Sequence, residues 1–172
     1  PEEARWCEAT IAGIRFISVY APNGRALDSP EFPRKLAFLD AAAERVAQLD
    51  GRPIVLAGDF NIAPADIDVY DPAGFAGSTH VTGEERGRLE HLLDLGLIDA
   101  YRRLHPSEVQ YTWWDYRAGH FHKGLGLRID LALLSSKLAP RLRHCGIERD
   151  YRKGTKPSDH APLLVDLADG AG

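Results

Sequence analysis

The chain contains no methionine, only two cysteines and no long apolar run among its 172 residues. Cys7 and Cys145 lack the spacing of paired metal ligands and fit a reducing compartment, although the sequence leaves a disulfide between them open. No apolar segment is long enough to span a bilayer, and the start shows no signal-peptide pattern. With 44% hydrophobic and 27% charged residues, the composition predicts a single cytoplasmic domain over residues 1–172 that does not contact a membrane.

Positive charge is also scarce, because the formal net charge is −4. Phosphate contacts require lysine and arginine, so this balance argues against a protein that binds nucleic acid over its whole surface. The basic residues are nevertheless concentrated in stretches 117–128 and 141–156. Each stretch precedes an aspartate, Asp130 or Asp159, that lies close to apolar residues. We therefore expect a positive rim around an acidic centre.

The first candidate site is Gly58-Asp59-Phe60-Asn61, which follows the apolar run 53–57. A continuous apolar run of this length favours a strand that is buried on both faces. Asp59 would then emerge at the carboxyl end of a core strand. Its carboxylate and the amide oxygen of Asn61 are oxygen ligands that suit a hard divalent ion. The alternative is an ordinary turn, since Gly, Asp and Asn are common turn residues.

The second and third candidate sites are Asp130, alone in the apolar run 129–134, and the segment Ser158-Asp159-His160-Ala161-Pro162. An unpaired buried charge is costly, so Asp130 needs a partner. We expect His160 to be that partner, which would fix the tautomer of the imidazole and favour its charged form. The alternatives are a salt bridge from Asp130 to Arg128 and a turn at Ser158-Asp159.

These three segments, together with Ser18-Val19-Tyr20-Ala21-Pro22-Asn23-Gly24 and Tyr111-Thr112-Trp113-Trp114-Asp115-Tyr116-Arg117, resemble the exonuclease III family of exonucleases and AP endonucleases. The similarity runs from about residue 14 to residue 167. It implies an α/β fold of the DNase I type, a four-layer αββα sandwich in which two mixed sheets pack face to face.

The resemblance also implies roles for individual residues. Asp59 would activate the attacking water and Asn61 would hydrogen-bond the phosphate. His160, paired with Asp130, would polarise the same phosphate, and Tyr20 would lie against the phosphate or the leaving oxygen. The cofactor would be Mg²⁺ or Mn²⁺, with the ligands Asp59, Asn61, Asp159 and His160. The implied DNA contacts are Arg25, Trp113, Arg117, Lys123 and Arg128.

Residues 111–116 are rich in β-forming types, so we expect a strand with one tryptophan in the core and the next on the surface. An outward aromatic ring could stack on a base or pack against an abasic sugar. The resemblance favours Trp113 for this contact, and the alternative is that both Trp113 and Trp114 lie in the core. His120 and His122 lack a third ligand and make a poor zinc site.

One departure from the family is substantial. Family members begin with a strand that ends in Trp-Asn and continue to a Gln-Glu-Thr motif whose glutamate is the main magnesium ligand. Here asparagine occurs only at Asn23 and Asn61, and neither motif is present. We therefore expect a domain that is incomplete at the N-terminus and binds metal weakly, because magnesium sites rely on one or two carboxylates.

The expected function is metal-dependent phosphodiester hydrolysis in DNA, of the exodeoxyribonuclease III type. The substrate would be double-stranded DNA with abasic sites or 3′ ends in base-excision repair, cleaved by a monomer. The alternatives are another phosphatase or phosphodiesterase of the same fold, acting on inositol phosphates or sphingomyelin, and an inactive DNA-binding fragment. A serine hydrolase is excluded because the chain has no Gly-x-Ser-x-Gly elbow.

Two helices are expected outside these motifs. Apolar residues at positions 32, 36, 39, 43 and 46 recur at helical spacing, which predicts a helix over 32–49 with one face on a sheet. Thr82-Gly83-Glu84-Glu85 predicts a capping box that opens a second helix, and Gly96 would end it.

Overall fold

The computed structural model describes residues 4–49 and 51–169. Its strands and helices in chain order are β1 (Trp6–Ile11), β2 (Ile14–Tyr20), α1 (Glu31–Ala47), β3 (Ile54–Asp59), α2 (Gly83–Asp94), β4 (Leu97–Asp99), α3 (Ala100–Leu104), α4 (His120–Lys123), β5 (Asp130–Ser135), β6 (Leu142–Ile147) and β7 (Leu163–Leu167). Short 3₁₀ turns lie at Asp66–Asp68, Arg117–Gly119, Ala139–Arg141 and Arg149–Arg152.

Five of these strands form a mixed sheet in the order β1-β2-β3-β5-β4. Strands β2 and β3 are parallel, and the other neighbouring pairs are antiparallel. The apolar run 53–57 lies largely in β3, which ends at Asp59 and is the central strand of the sheet. Successive side chains of a strand point to opposite faces, so Leu56 packs on one face and Val55 on the other. The predicted strand, buried on both faces, is confirmed.

Helices α1 and α2 cover one face of this sheet. Helix α1 buries Phe32, Leu36, Leu39, Ala43 and Val46, which confirms the helical face predicted from their spacing. Helix α2 begins with the predicted capping box, in which the Thr82 hydroxyl accepts from the Glu85 amide at 3.2 Å and Glu85 Oε2 accepts from the Thr82 amide at 3.0 Å. Gly96, with φ +88°, follows the end of the helix.

Strands β6 and β7 form a two-stranded antiparallel sheet against the other face. The core between the two sheets includes Val55, Ala132, Leu134, Leu142 and Cys145. The described residues thus provide one helical layer and two facing sheets, which are three of the four layers of the predicted αββα sandwich. The thiols of Cys7 and Cys145 are free, the first exposed and the second buried. Among the described residues, no helix has the length and apolarity needed to cross a membrane.

The strand predicted over residues 111–116 is wrong. Trp113 makes single bridges to Leu127 and to His160 instead of a continuous ladder. The reason is that the hydrogen bonds of this segment are divided between two different parts of the chain. The expected alternation of the two tryptophans is nevertheless present, because Trp114 is 1% exposed and Trp113 is only partly buried.

The contact between helix and sheet can be tested at Leu39, which is fully buried in α1. Leu39→Ala should lower the free energy of unfolding by about 2–5 kcal/mol, because it removes buried methyl groups and leaves a cavity. Val109→Ala is the control, since Val109 is 57% exposed. Urea unfolding followed by circular dichroism measures both variants. Equal stability of the two would contradict the packing described for α1.

Candidate active site

The register of three strands places the candidate site at one edge of the five-stranded sheet. Tyr20 of β2 pairs with Asp59 of β3, and Asp59 pairs with Asp130 of β5. Side chains of directly opposed residues lie on the same face of a sheet. The hydroxyl of Tyr20 and the two carboxylates therefore form one row, although 110 residues separate its ends in the sequence.

His160 joins this row through Asp130. Its Nδ1 lies 2.7 Å from Asp130 Oδ2, which confirms the predicted pair. The alternative partner, Arg128, points elsewhere. Since the carboxylate can only accept at neutral pH, Nδ1 carries the proton and Nε2 remains for other contacts.

Asn61 is held at both ends of its side chain. Its Nδ2 donates to Asp59 Oδ2 at 2.9 Å and to the carbonyl of Ala21 at 3.0 Å, and its Oδ1 accepts from Asn23 Nδ2 at 3.1 Å. Its backbone amide donates to Asp59 Oδ1 at 2.8 Å. Asn61 has φ +53°, a left-handed conformation that Asn tolerates better than most residues. The turn alternative is thus realised, and the turn aims the amide at Asp59, while the catalytic and metal-binding roles of the two residues stay predictions.

The backbone near Asp59 requires glycine. Gly58 has φ +140°, and a Cβ placed there would lie 2.0 Å from the carbonyl oxygen of Val19. This close approach brings β2 and β3 together just before the two candidate site residues Tyr20 and Asp59.

A cavity of about 210 Å³ opens beside the row. Trp113 lies on its wall, and its indole Nε1 donates to Asp159 Oδ2 at 3.0 Å. Tyr20 is 53% exposed at the mouth. The cavity is lined by Tyr20, Asn23, Asp59, Asn61, His80, Trp113, Ile129, Asp159 and His160.

The facing carboxylates shift the protonation of the site. Burial, followed by the charge of Asp130, raises the pKa of Asp59 to about 6, against the opposing effects of the Asn61 amide and of the charges on His160 and Lys35. Burial alone would lower the pKa of His160, but the hydrogen bond and charge of Asp130 raise it above its ordinary value. The imidazole is therefore favoured as a cation beside two carboxylates.

Two residues of the cavity were missed from the sequence. His80 Nδ1 lies 2.5 Å from the carbonyl of Asn61, and burial with the nearby charge of Lys35 lowers the pKa of His80 to about 4. No local pattern marks this lone histidine, because only the fold brings it to the site. Asn23 could have been found, since it follows Tyr20 by three positions in the same motif.

Arg128 was predicted to contact DNA, and this prediction is wrong. Its side chain is fully buried, with Nε 2.7 Å from Asp68 Oδ1 and Nη2 2.8 Å from Asp99 Oδ2. Two buried carboxylates hold the guanidinium inside the protein, so it cannot reach a ligand on the surface.

The other predicted DNA contacts lie at the surface or at the cavity. Arg25 is exposed, and its backbone amide donates to Asn23 Oδ1 at 3.1 Å, next to the site. Arg117 and Lys123 are exposed as well, and Arg117 is paired with Asp115. These three residues and Trp113 stay predictions.

The predicted metal ligands Asp59, Asn61, Asp159 and His160 all line the cavity. Within the described part of the chain, no group of three or more His, Cys, Asp or Glu side chains is placed to hold a metal ion. An all-protein cage is therefore not formed. Carboxylate and amide oxygens still fit Mg²⁺ or Mn²⁺, since Mg²⁺ usually keeps several waters and binds through one or two carboxylates. Burial, and then the charge of Asp130, raise the pKa of Asp59, and a cation bound beside the carboxylate would offset both effects.

The Asp130–His160 pair predicts the effect of Asp130→Asn. The variant should lower the pKa of His160, because it removes the charge that stabilises the imidazolium. Nuclear magnetic resonance titration of the histidine rings in metal-free protein measures this shift. Asp40→Asn is the control, since Asp40 pairs with Arg88 on the helices. An unchanged His160 titration in Asp130→Asn would contradict the pairing.

The raised pKa of Asp59 predicts how the stability of the metal-free protein changes with pH. The folded state binds the proton of Asp59 more tightly than the unfolded state, so stability is lost as pH rises from the unfolded pKa of about 4 to the folded value of about 6. Asp59→Asn has no such proton to lose, but its amide also replaces one of the two oxygens that accept from Asn61. Between pH 4 and pH 8 the wild type should therefore lose about 1–3 kcal/mol of unfolding free energy relative to the variant. A stability difference between the two proteins that does not change with pH would refute this account.

Comparisons with known proteins agree with this geometry. The model of the endonuclease/exonuclease/phosphatase family matches residues 3–160. Exodeoxyribonuclease III of Haemophilus influenzae is 35% identical over 93% of this chain and 64% of its own length.

Solved structures are similar as well. The 3′ phosphatase NExo from Neisseria, bound to a product DNA hairpin, is 42% identical with a TM-score of 0.95, over 97% of this chain and 66% of that chain. An AP endonuclease from Archaeoglobus fulgidus is 35% identical with a TM-score of 0.91, over 95% of this chain and 65% of that chain. The described chain therefore spans about two thirds of these relatives and has their DNase I-like fold. The resemblance in the motifs is confirmed, and the chain belongs to the endonuclease/exonuclease/phosphatase family.

Proposed function

We propose that this chain carries the site of a metal-dependent phosphodiesterase that acts on double-stranded DNA at abasic sites or 3′ ends. The observation that carries the proposal is the row Tyr20, Asp59 and Asp130, extended by His160, beside a cavity of about 210 Å³. Relatives named as an exodeoxyribonuclease III, a 3′ phosphatase and an AP endonuclease support DNA as the substrate.

The substrate phosphate would lie in the cavity between Asn61 and His160. The protonated imidazole of His160, held by Asp130, donates to a non-bridging oxygen and offsets the charge that builds there. The amide of Asn61 is fixed by Asp59, Ala21 and Asn23. Both of its N–H groups are engaged, so Nδ2 would reach the phosphate by exchanging its hydrogen bond to Asp59 for one to a phosphate oxygen.

Asp59 orients the attacking water and accepts its proton. A carboxylate with a pKa of about 6 is a better base near neutral pH than an ordinary aspartate. The water oxygen forms a bond to phosphorus as the bond to the 3′ oxygen breaks. The departing oxygen takes a proton, for which the exposed hydroxyl of Tyr20 is a suitable donor.

Enzymes of this family are metal-dependent. Asp59, Asn61 and Asp159 would hold Mg²⁺ or Mn²⁺, and a bound ion would neutralise charge on the phosphate. His160, predicted as a fourth ligand, is not proposed as one, because an imidazolium that donates from both ring nitrogens has no lone pair for a metal. Arg25, Trp113, Arg117 and Lys123 would hold the DNA backbone and an exposed sugar around the cavity. We propose a monomeric enzyme of base-excision repair, and the cytoplasmic location stays a prediction.

A second candidate function is DNA binding without turnover. One observation favours it: the described residues place fewer than three His, Cys, Asp or Glu ligands around one point. Weak metal binding would leave the phosphate and sugar contacts intact while slowing hydrolysis.

Cleavage of a duplex with one abasic site tests the proposal. With magnesium, the wild-type chain should incise the strand, and Asp59→Asn should be slower by about 10²-fold or more, because it loses the base. Asp40→Asn, on the outer helices, is the matched control. Duplexes with a 3′ phosphate or a recessed 3′ end compare the related activities.

If no cleavage is observed, a binding measurement with the same duplex distinguishes the two possible reasons. Binding without cleavage by either protein would identify the chain as a DNA-binding module. Absence of both binding and cleavage would refute the proposed function.

A further inference from the structure

A lysine ammonium lies directly beneath the Asp59–Asn61 turn. The side chain of Lys35, on α1, is fully buried. Its Nζ donates to the carbonyl of Asn61 at 2.6 Å, with longer contacts to the carbonyl of Asn23 and the hydroxyl of Thr79, both at 3.4 Å. A buried cation is thus aimed at the backbone of two residues that line the cavity.

Glu85, on α2, neutralises Lys35 and is itself fully buried. Its Oε1 contacts Nζ and accepts from the Thr79 hydroxyl and the His80 amide, both at 2.9 Å. Its Oε2 accepts from the Thr82 amide and hydroxyl at 3.0 and 2.8 Å. The pair therefore joins α1, α2 and two loops of the site at one point.

General stability is a poor explanation for this pair. Two charges lose their hydration when they are buried, and apolar residues of similar volume often give equal or greater stability. The pair instead orients the backbone, because the ammonium group donates hydrogen bonds and holds the carbonyls of Asn61 and Asn23 toward itself. The carbonyl of Asn61 is turned inward to meet it, while the left-handed backbone at φ +53° sends the amide and side chain of Asn61 toward Asp59.

We propose that Lys35, held by Glu85, is a positioning residue for Asn61 and, through Asn61, for the carboxylate of Asp59. His80, whose Nδ1 lies 2.5 Å from the same carbonyl oxygen, shares this contact but carries no paired charge to fix it. Lys35 does not line the cavity, so it acts through Asn61 and not on the substrate. The proposal rests on the proposed function for what Asn61 and Asp59 do. The arrangement of these two residues around Lys35 can be tested without that function.

The experiment compares Lys35→Met with Arg128→Met. Both remove the cation of a fully buried ion pair, and the bonds described for the Arg128 side chain go to Asp68 and Asp99 and not to Asn61. Hydrogen exchange of the Asn61 amide, which donates to Asp59, reports the local geometry. The affinity for Mn²⁺, measured from the relaxation of water protons, reports whether the metal-binding oxygens are in place. Urea unfolding gives the global stability of each variant, with which the exchange rate and the Mn²⁺ affinity are corrected.

After this correction, Lys35→Met should speed exchange of the Asn61 amide about tenfold or more and weaken Mn²⁺ binding about 10–100-fold, as loss of an outer-shell partner does. Arg128→Met should change neither quantity. The double variant Lys35→Met/Glu85→Gln removes both charges and keeps a residue suited to the capping box. It should regain global stability over Lys35→Met while exchange at Asn61 stays fast.

The double variant also decides the matter if Lys35→Met does not fold. Slow exchange at Asn61 in either variant, or equally fast exchange in Arg128→Met, would overturn the proposal. Its failure is distinct from failure of the proposed function: cleavage that Asp59→Asn abolishes but Lys35→Met leaves intact would remove only the positioning role. Conversely, Lys35→Met could show fast exchange at Asn61 while the wild-type chain neither cleaves nor binds DNA. That result would refute only the proposed nuclease function.

Discussion

The pairing of β3 with its two neighbours is the constraint on which the site depends. Tyr20, Asp59 and Asp130 lie opposite one another only in this register, and a slip by one residue would send each side chain to the other face. Gly58 permits the register, since its backbone contacts the Val19 carbonyl where no Cβ would fit. The same slip would also exchange the residues that face the helices, such as Leu56, with those that face the second sheet, such as Val55.

The site itself opposes the stability of the fold. Burial of Asp59, and then the charge of Asp130 on the neighbouring strand, raise the pKa of Asp59, so its ionised form is unfavourable in that position. The cations His160 and Lys35 reduce this cost without removing it. The proposed cation would reduce it further, while the helices and the inter-sheet core supply the stability that the site lowers.

Much of this arrangement could be predicted from the sequence. The aspartate in an apolar strand indicated a buried charge that required a partner, and the Asp130–His160 pair is confirmed. The buried face of α1 and the capping box of α2 could be predicted because both depend on residues that are close together in the sequence. Arg128 was misjudged because composition indicates where charges are concentrated but not which way they point. The Lys35–Glu85 ion pair was missed for a related reason. Lys35 looks like an ordinary helix residue and Glu85 like a capping residue, and only the fold brings together two positions that are 50 residues apart.

The hydrogen bond between the Trp113 indole and Asp159 joins the predicted DNA contact to a predicted metal ligand. Under the proposed function, a sugar or base packed on the ring would fix the indole, and a cation in the cavity would bind the same carboxylate. DNA that holds Asp159 in place through the ring would then raise the affinity for the cation by some factor. Thermodynamic linkage would require the cation to raise the affinity for DNA by the same factor, so the two affinities would change together.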